Sequence, residues 1–290
     1  MDEHDRQVDA GEGPHDPSAP LGPDFRLRLL SGLGMGAIAT AFVFTGTVPF
    51  VVLVVVVALL LSWEWSRLVH GPEADTVLAV HLAAAFAAAV LAAFELVGLG
   101  LLALAIGAIL AMVLSLGRNS VYAAMGVFYA GLPAIAIIWL RSDATLGLLA
   151  VVFLILVIIT ADTAAFISGR LLGGPKLWPR VSPNKTWAGL IGAVLASAVV
   201  GACFWFAVTD ASPIRLAGTA AVLAFVAQAG DLAESALKRR FGAKDTGNLI
   251  PGHGGIMDRV DGLVAGASAA GLMALAVNVH SPARALLLGS

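Results

Sequence analysis

Four acidic residues in the last quarter of the chain set the chemistry it can attempt. Asp231 and Glu234 stand three apart, and so do Asp258 and Asp261. On a helix this spacing puts both carboxylates of a pair on one face, so two such pairs could build one cation site. Four acids at the ends of apolar segments would repel one another unless a cation joined them. Lys238, Arg239, Arg240, Lys244 and Arg259 lie between or beside them, and the run Pro251-Gly252-His253-Gly254-Gly255 has glycines that let a backbone approach a ligand closely. Oxygen ligands for a metal beside cations for phosphate point to metal-assisted phosphoryl chemistry. Taken singly, His253 fits a structural role as well as a catalytic one. Each of Lys238, Arg239 and Arg240 could equally be a positive anchor at a membrane edge.

A second stretch, Thr160 to Gly189, carries Asp162 near the end of an apolar segment. An ionisable group there costs up to about 2.5 to 3.5 kcal/mol at a helix centre and less near the interface. It therefore needs a partner, a metal or substrate, unless it snorkels to water or pairs with Arg170 nearby. Ser182-Pro183-Asn184-Lys185-Thr186-Trp187 follows in the same loop. Ser182 or Asn184 is expected to cap the next helix, with Lys185 and Thr186 in its first turn, where phosphate is attracted.

The elements that position these residues are membrane spans. With 59% hydrophobic residues, 12% charged residues and a mean hydropathy of +0.92 over 290 residues, the composition excludes an ordinary soluble domain. Apolar runs long enough to cross a bilayer fall at about 28–46, 48–66, 76–93, 97–116, 120–140, 146–167, 187–209, 214–236 and 262–279. The expected fold is an all-α polytopic membrane protein of about nine transmembrane helices, or eight if one pair is re-entrant. Short links predict tight hairpins for the first two spans and for the third and fourth. Residues 1–27 read as a disordered acidic tail without the basic n-region of a signal peptide, and 28–290 as a single membrane catalytic domain. The only cysteine, Cys203, excludes an internal disulfide and a cysteine metal site, and is expected to be a small buried apolar residue. Trp63-Glu64-Trp65 reads as a pair of interfacial aromatics around a solvated acid, and Glu95 as a solvated residue of an outer turn.

Lys and Arg flanking spans stay on the cytoplasmic side. With the N-terminus inside, fourteen of the 17 basic residues fall there, and only Arg141, Arg215 and Arg284 fall outside. That puts the 168–186 and 237–261 loops, and so the active site, on the cytoplasmic face of the cell membrane.

These motifs carry a resemblance. Ser235-Ala-Leu-Lys-Arg, Lys244-Asp245, Leu249-Ile-Pro-Gly-His-Gly-Gly and Asp258-Arg-Val-Asp261 resemble the ordered signature of the phosphatidate cytidylyltransferases, or CDP-diacylglycerol synthases. Ala161-Asp-Thr, Gly169-Arg170 and Ser182-Pro-Asn-Lys-Thr-Trp187 resemble the segments that precede it. Ala188 stands where the family usually has Glu, and Phe166 where it often has Tyr. The resemblance implies transfer of a cytidylyl group from CTP to phosphatidic acid, with Mg²⁺, and room for a second cation, as cofactor. It implies Asp231, Asp258 and Asp261 as metal ligands with Glu234 and Asp162 nearby, and Lys185 and Lys238 as catalytic cations. Substrate contacts are expected from Ser182, Asn184, Lys185, Thr186, Ser235, Lys238, Arg239, Lys244, Asp245, His253, Gly254, Gly255 and Arg259. The expected partners are CTP, phosphatidic acid and the lipid bilayer, with a homodimer as an option and no nucleic acid. The competing readings are nucleotidyl transfer to another lipid phosphate and a membrane transporter. The transporter is disfavoured because the polar residues gather at one membrane face and form no path across.

Overall fold

The structure is a computed structural model that describes residues 23–71, 75–117, 119–247 and 254–290, without the side chains of 23–31, 33 and 35. The elements are α1 (Pro23–Phe44), α2 (Thr47–His70), α3 (Thr76–Ala93), α4 (Val97–Leu114), α5 (Ser120–Ser142), α6 (Gly147–Leu172), β1 (Lys176–Trp178), β2 (Ser182–Thr186), α7 (Trp187–Cys203), α8 (Pro213–Arg240), α9 (Met257–Val277) and α10 (Pro282–Leu287). Among the described residues eight helices, α2 to α9, are long and apolar enough to cross a bilayer. The first expected span, 28–46, falls on α1, which begins at Pro23 inside the stretch read as tail. Residues 1–22 lie outside the described residues. Both expected hairpins form, through residues 45–46 and 94–96, and Glu95 sits exposed in the second turn with a positive φ of 63°.

The bundle packs around α5, the most deeply buried span. On one side α2, α3 and α4 meet it through a core of Ala84, Ala85, Ala88, Ala108 and Leu104. On the other, α6, α7, α8, α9 and α10 share a core around Phe153, Leu154, Val157, Leu216 and Leu223. Between helices in lipid the hydrophobic effect supplies little, so close backbone approach through small residues must serve. A Cβ built on Gly201 of α7 would strike Ala220 and the Leu216 carbonyl of α8, and one on Gly192 would strike Ser168 of α6. Cys203, expected to be buried, is instead exposed at the end of α7, because its face of the helix turns away from the core.

Short-range contacts show which loops share an end of the bundle. His70 lies 3.3 Å from Ser115, Asn119 donates to the Val69 carbonyl, and Thr246 reaches Glu64. Lys185 reaches Asp231 from the β-hairpin. The loops after α2, α4, α6 and α8 therefore lie at one end. The links after α3, α5, α7 and α9 lie at the other, where Arg215 donates to the Ala285 carbonyl.

Candidate active site

Helix α8 runs past its expected end to Arg240, and α9 starts at Met257, five residues before the expected 262. Lys238, Arg239 and Arg240 thus occupy the last turn of α8, where cations are favoured by the helix dipole. Asp258 and Asp261 occupy the opening turns of α9. All four acids are therefore helical, including Asp258 and Asp261, which the expected spans had left in the loop before 262.

The pairs do not stay together. Positions three apart on an α-helix differ by about 60° around the axis, and the two members of each pair turn to different neighbours. Asp231 leaves α8 toward the hairpin, where its Oδ2 accepts from Lys185 Nζ at 2.6 Å. Lys185 Nζ also lies 3.4 Å from the Gln228 carbonyl, and Gln228 Nε2 donates to Asp162 Oδ1 at 2.8 Å. Asp162 and Asp261 both lie within electrostatic reach of Asp231. Acids from α6 and α9 therefore each lie near Asp231 of α8, which Lys185 also meets. The partner that Asp162 needed is Gln228, not Arg170.

Glu234 and Asp258 form the second centre, sharing Lys238. Lys238 Nζ sits 3.0 Å from Glu234 Oε1 and 2.6 Å from Asp258 Oδ1, while Tyr129 Oη donates to Glu234 Oε2 at 3.0 Å. Asp258 Oδ2 accepts from the backbone N–H groups of Thr246 and Gly255 and lies 3.0 Å from Thr246 Oγ1. Gly254 beside it has φ +81°, a conformation that favours glycine.

Glu64 corrects the reading of Trp63-Glu64-Trp65 as a solvated interfacial motif. Its carboxylate is fully buried and accepts from Ile256 N at 2.8 Å and Met257 N at 2.7 Å, with Thr246 Oγ1 at 3.1 Å. Trp65 is buried too, donating from Nε1 to the Tyr122 carbonyl and packing on Tyr129. Trp63 stays near the surface with Arg67 stacked 4.8 Å over its ring.

The loop before α7 also differs from its expected form. Ser182–Thr186 is a strand paired antiparallel with Lys176–Trp178, in register Lys176 to Thr186 and Trp178 to Ser182. The cap of α7 is Thr186, whose Oγ1 accepts from Gly189 N at 3.1 Å, rather than Ser182 or Asn184. Pairing with β1 keeps residues 182 to 186 extended, so the helix cannot begin before Trp187. Lys185 therefore reaches the acids from the hairpin and not from a helical first turn.

Two cavities flank α8. One of about 550 Å³ is lined by Asp162, Arg170, Lys176, Asn184, Lys185 and Asp231. The other, about 590 Å³, is mostly aromatic and aliphatic, with Phe128, Tyr129 and Leu132 on one wall and Glu234, Arg240 and Asp261 on the other. Thr186 borders the polar cavity, whereas Ser182 does not line it. Ser235 is half-buried on α8, and Arg239, Lys244, Asp245 and Arg259 are exposed around the same end. His253 lies outside the described residues. Lys176, Gln228, Tyr129 and Thr246 join the site as additions to the expected residues, and Arg170, expected only as a partner of Asp162, lines the polar cavity. Of these, only the two basic residues carried a local signal, their charge at the polar end of α6 and at the start of the hairpin that follows it.

For a divalent cation the donors have the right chemistry, hard carboxylate oxygens beside phosphate-binding cations. Among the described residues no three His, Cys, Asp or Glu side chains already converge on one point. A cation at the first centre would compete with Lys185 for Asp231. Asp258, already met by Lys238 and by N–H groups, has less free capacity.

Residues 26–277 match the model of the cytidylyltransferase family. The chain is 37% identical over 248 residues to the phosphatidate cytidylyltransferases of Brucella suis and Brucella melitensis, covering 84% of this chain and 91% of each relative. It is 42% identical over 144 residues to that of Staphylococcus haemolyticus, covering 49% of this chain and 54% of the relative.

Proposed function

The chain belongs to the cytidylyltransferase family, and from that premise we propose that it transfers a cytidylyl group from CTP to phosphatidic acid at the polar end of its membrane bundle. The products are CDP-diacylglycerol and pyrophosphate. The lipid phosphate oxygen attacks the α-phosphorus of CTP, a new P–O bond forms, and the bond to the β-phosphate oxygen breaks in line. The nucleophile is already anionic, so no strong general base is needed, and catalysis is chiefly positioning and charge neutralisation.

The observation that carries this reading is the adjacency of the two cavities on either side of the acids of α8 and α9. The polar one offers Arg170, Lys176 and Lys185 to a nucleotide's phosphates. The apolar one offers an aromatic and aliphatic wall ending at Arg240, which suits an acyl chain carrying a phosphate head. Asp261 lines the apolar cavity and lies within reach of Asp231 in the polar one, so the reacting groups would meet there.

Lys185 acts as a movable counter-charge, paired with Asp231 in the free protein and turning to the phosphates as charge builds on the leaving pyrophosphate. Lys238 is fixed by two carboxylates and maintains the field at the junction of α8 and α9. Asp231, Asp261 and Asp162 would hold Mg²⁺, and such a cation, or a pair of them, would supply positive charge against the phosphates. Arg239, Lys244 and Arg259 line the approach for anionic substrates.

The fourteen-to-three division of basic residues supports a cytoplasmic active site in the cell membrane. Cysteine placed at Ser182 in a Cys203→Ala background should label only from the cytoplasmic side, and at Ser281 only from the other. The activity is tested by giving the purified protein labelled CTP, Mg²⁺ and a panel of lipid phosphates. Label should enter CDP-diacylglycerol when phosphatidic acid is the acceptor. Transfer to an isoprenoid phosphate alone, or to no lipid, contradicts the assignment.

A further inference from the structure

Helix α9 opens without a cap of its own: Ile256 occupies the cap position and offers no side-chain acceptor. A helix start buried in this way leaves orphan N–H groups that something must satisfy. Glu64 does so from α2, 192 residues away in sequence, accepting from Ile256 N through Oε1 and from Met257 N through Oε2. Each carboxylate oxygen is committed to a different N–H, and the negative charge sits at the positive end of the helix dipole.

The same carboxylate is tied to the loop before α9. Thr246 Oγ1 lies 3.1 Å from Glu64 Oε2 and 3.0 Å from Asp258 Oδ2, so one hydroxyl stands between the two acids. A Cβ on Gly247 would touch Glu64 Oε1 at 3.4 Å, and one on Gly255 would overlap Thr246 Oγ1 and the Glu64 carboxylate. Gly255 thus leaves space for a buried acid belonging to the other half of the bundle, while a Cβ on Gly247 would make only ordinary contact with it. Asp258, one residue beyond Met257, and Asp261, one turn further, inherit whatever angle and register this cap imposes.

We propose that Glu64 is a positioning residue of the active site, a cap supplied by α2 that fixes the start of α9 and with it Asp258 and Asp261. It touches no substrate and acts through the placement of those two acids. The proposal rests on the cytidylyl-transfer reading for its kinetic consequence, but the clamp itself is a statement about Glu64, Thr246 and the start of α9. Glutamine at position 64 keeps the shape, yet offers one acceptor oxygen and turns an NH₂ toward an N–H donor. Glu64→Gln should therefore disturb the geometry while leaving the packing volume nearly unchanged.

The test uses the full chain purified in detergent, with kcat and KM measured for both substrates, and timed trypsin digestion at exposed Lys244 as a readout independent of activity. Glu64→Gln is expected to lower kcat by about tenfold or more, within the range for mutating groups that orient site ligands, with KM for phosphatidic acid changed less than about twofold. It should also raise nicking at Lys244 by about fivefold or more, because local opening governs such cleavage. Thr246→Val should show the same pattern more weakly, and the double variant should lose no more than Glu64→Gln alone, since both break one link. Leu104→Ala, buried in the core between α3, α4 and α5, is the control for plain destabilisation. If Glu64→Gln loses activity only as Leu104→Ala does, without extra nicking, or if the double variant loses the product of the two single losses, the proposal is overturned. A wild-type chain that transfers no label would sink the functional reading, while the digest would still decide the clamp.

Discussion

The two acidic centres of this site each draw an acid from α8 and one from α9, the first adding Asp162 of α6 and Lys185 of the hairpin, yet they are finished differently. Around Asp231 the side chains are open and partly met: Asp231 is 32% exposed, borders the polar cavity, has one lysine as its ion-pair partner, and faces Asp162 and Asp261. Around Asp258 they are closed: the side chains of Glu234 and Asp258 are 0% and 8% exposed, Lys238, Tyr129, Thr246 and Gly255 surround them, and Glu234 Oε1 has the Lys238 ion pair but no hydrogen bond. A carboxylate with spare lone pairs at a cavity can take a ligand. One that is buried and tied to backbone N–H groups, as Asp258 is, holds the backbone in place, and removing it costs stability because its partners are left unpaired.

The sharpest way to break this contrast is to remove one acid from each centre. Asp261→Asn should cost activity about a hundredfold or more, the upper range for perturbing a metal site, with little change in thermal stability. Asp258→Asn should lower activity and also destabilise the protein by on the order of 2 kcal/mol, the scale of a buried hydrogen bond to a charged group. Thermal unfolding of both purified variants separates the effects, and equal stability losses would erase the distinction.

Next in size is Lys185, the cation of the open centre. Lys185→Ala should lower kcat/KM by about tenfold to a hundredfold, and Lys185→Arg should restore it only in part, because a planar fork replaces a point charge. A silent Lys185→Ala in correctly inserted protein would reduce the hairpin to a membrane anchor.

Gly255→Ala probes the closed centre through packing. The added methyl has no room between Thr246 and Glu64, so a loss of about 1 to 3 kcal/mol of stability is expected, measurable as a lowered unfolding midpoint. Ala188→Glu gives the smallest effect. Position 188 lies in the first turn of α7, just beyond Lys185, and an acid there should change activity by less than about tenfold, or roughly 1.4 kcal/mol. A larger loss would mean that Lys185 is captured by a nearby acid more readily than its pairing with Asp231 suggests.

What could be read from the sequence followed the range of the signal. Apolar runs and charge asymmetry are local, and they located the spans and the polar end. The i, i+3 spacing was also local and allowed a helical reading of both pairs, but the apolar run that defined the last span left Asp258 and Asp261 in the loop before it, whereas α9 begins at Met257. The spacing could not tell that a rotation of about 60° would send Asp231 to Lys185 and Glu234 to Lys238. Glu64 shows where such reading stops. Its neighbours Trp63 and Trp65 suggested an interface, whereas its partners Ile256 and Met257 become neighbours only when α2 packs against the start of α9. The one available hint was physical: an acid inside an apolar helix needs a partner. Thr186 was misplaced for a related reason, since the strand that delays α7 depends on pairing with Lys176–Trp178.

The most direct test is the initial rate of cytidylyl transfer from labelled CTP to phosphatidic acid by Asp261→Asn, across a Mg²⁺ titration, on protein whose unfolding midpoint has been measured in the same detergent. The open-centre account predicts a midpoint close to wild type and a rate at least about a hundredfold lower at every Mg²⁺ concentration. A rate that returns to the wild-type value at saturating Mg²⁺ would contradict it.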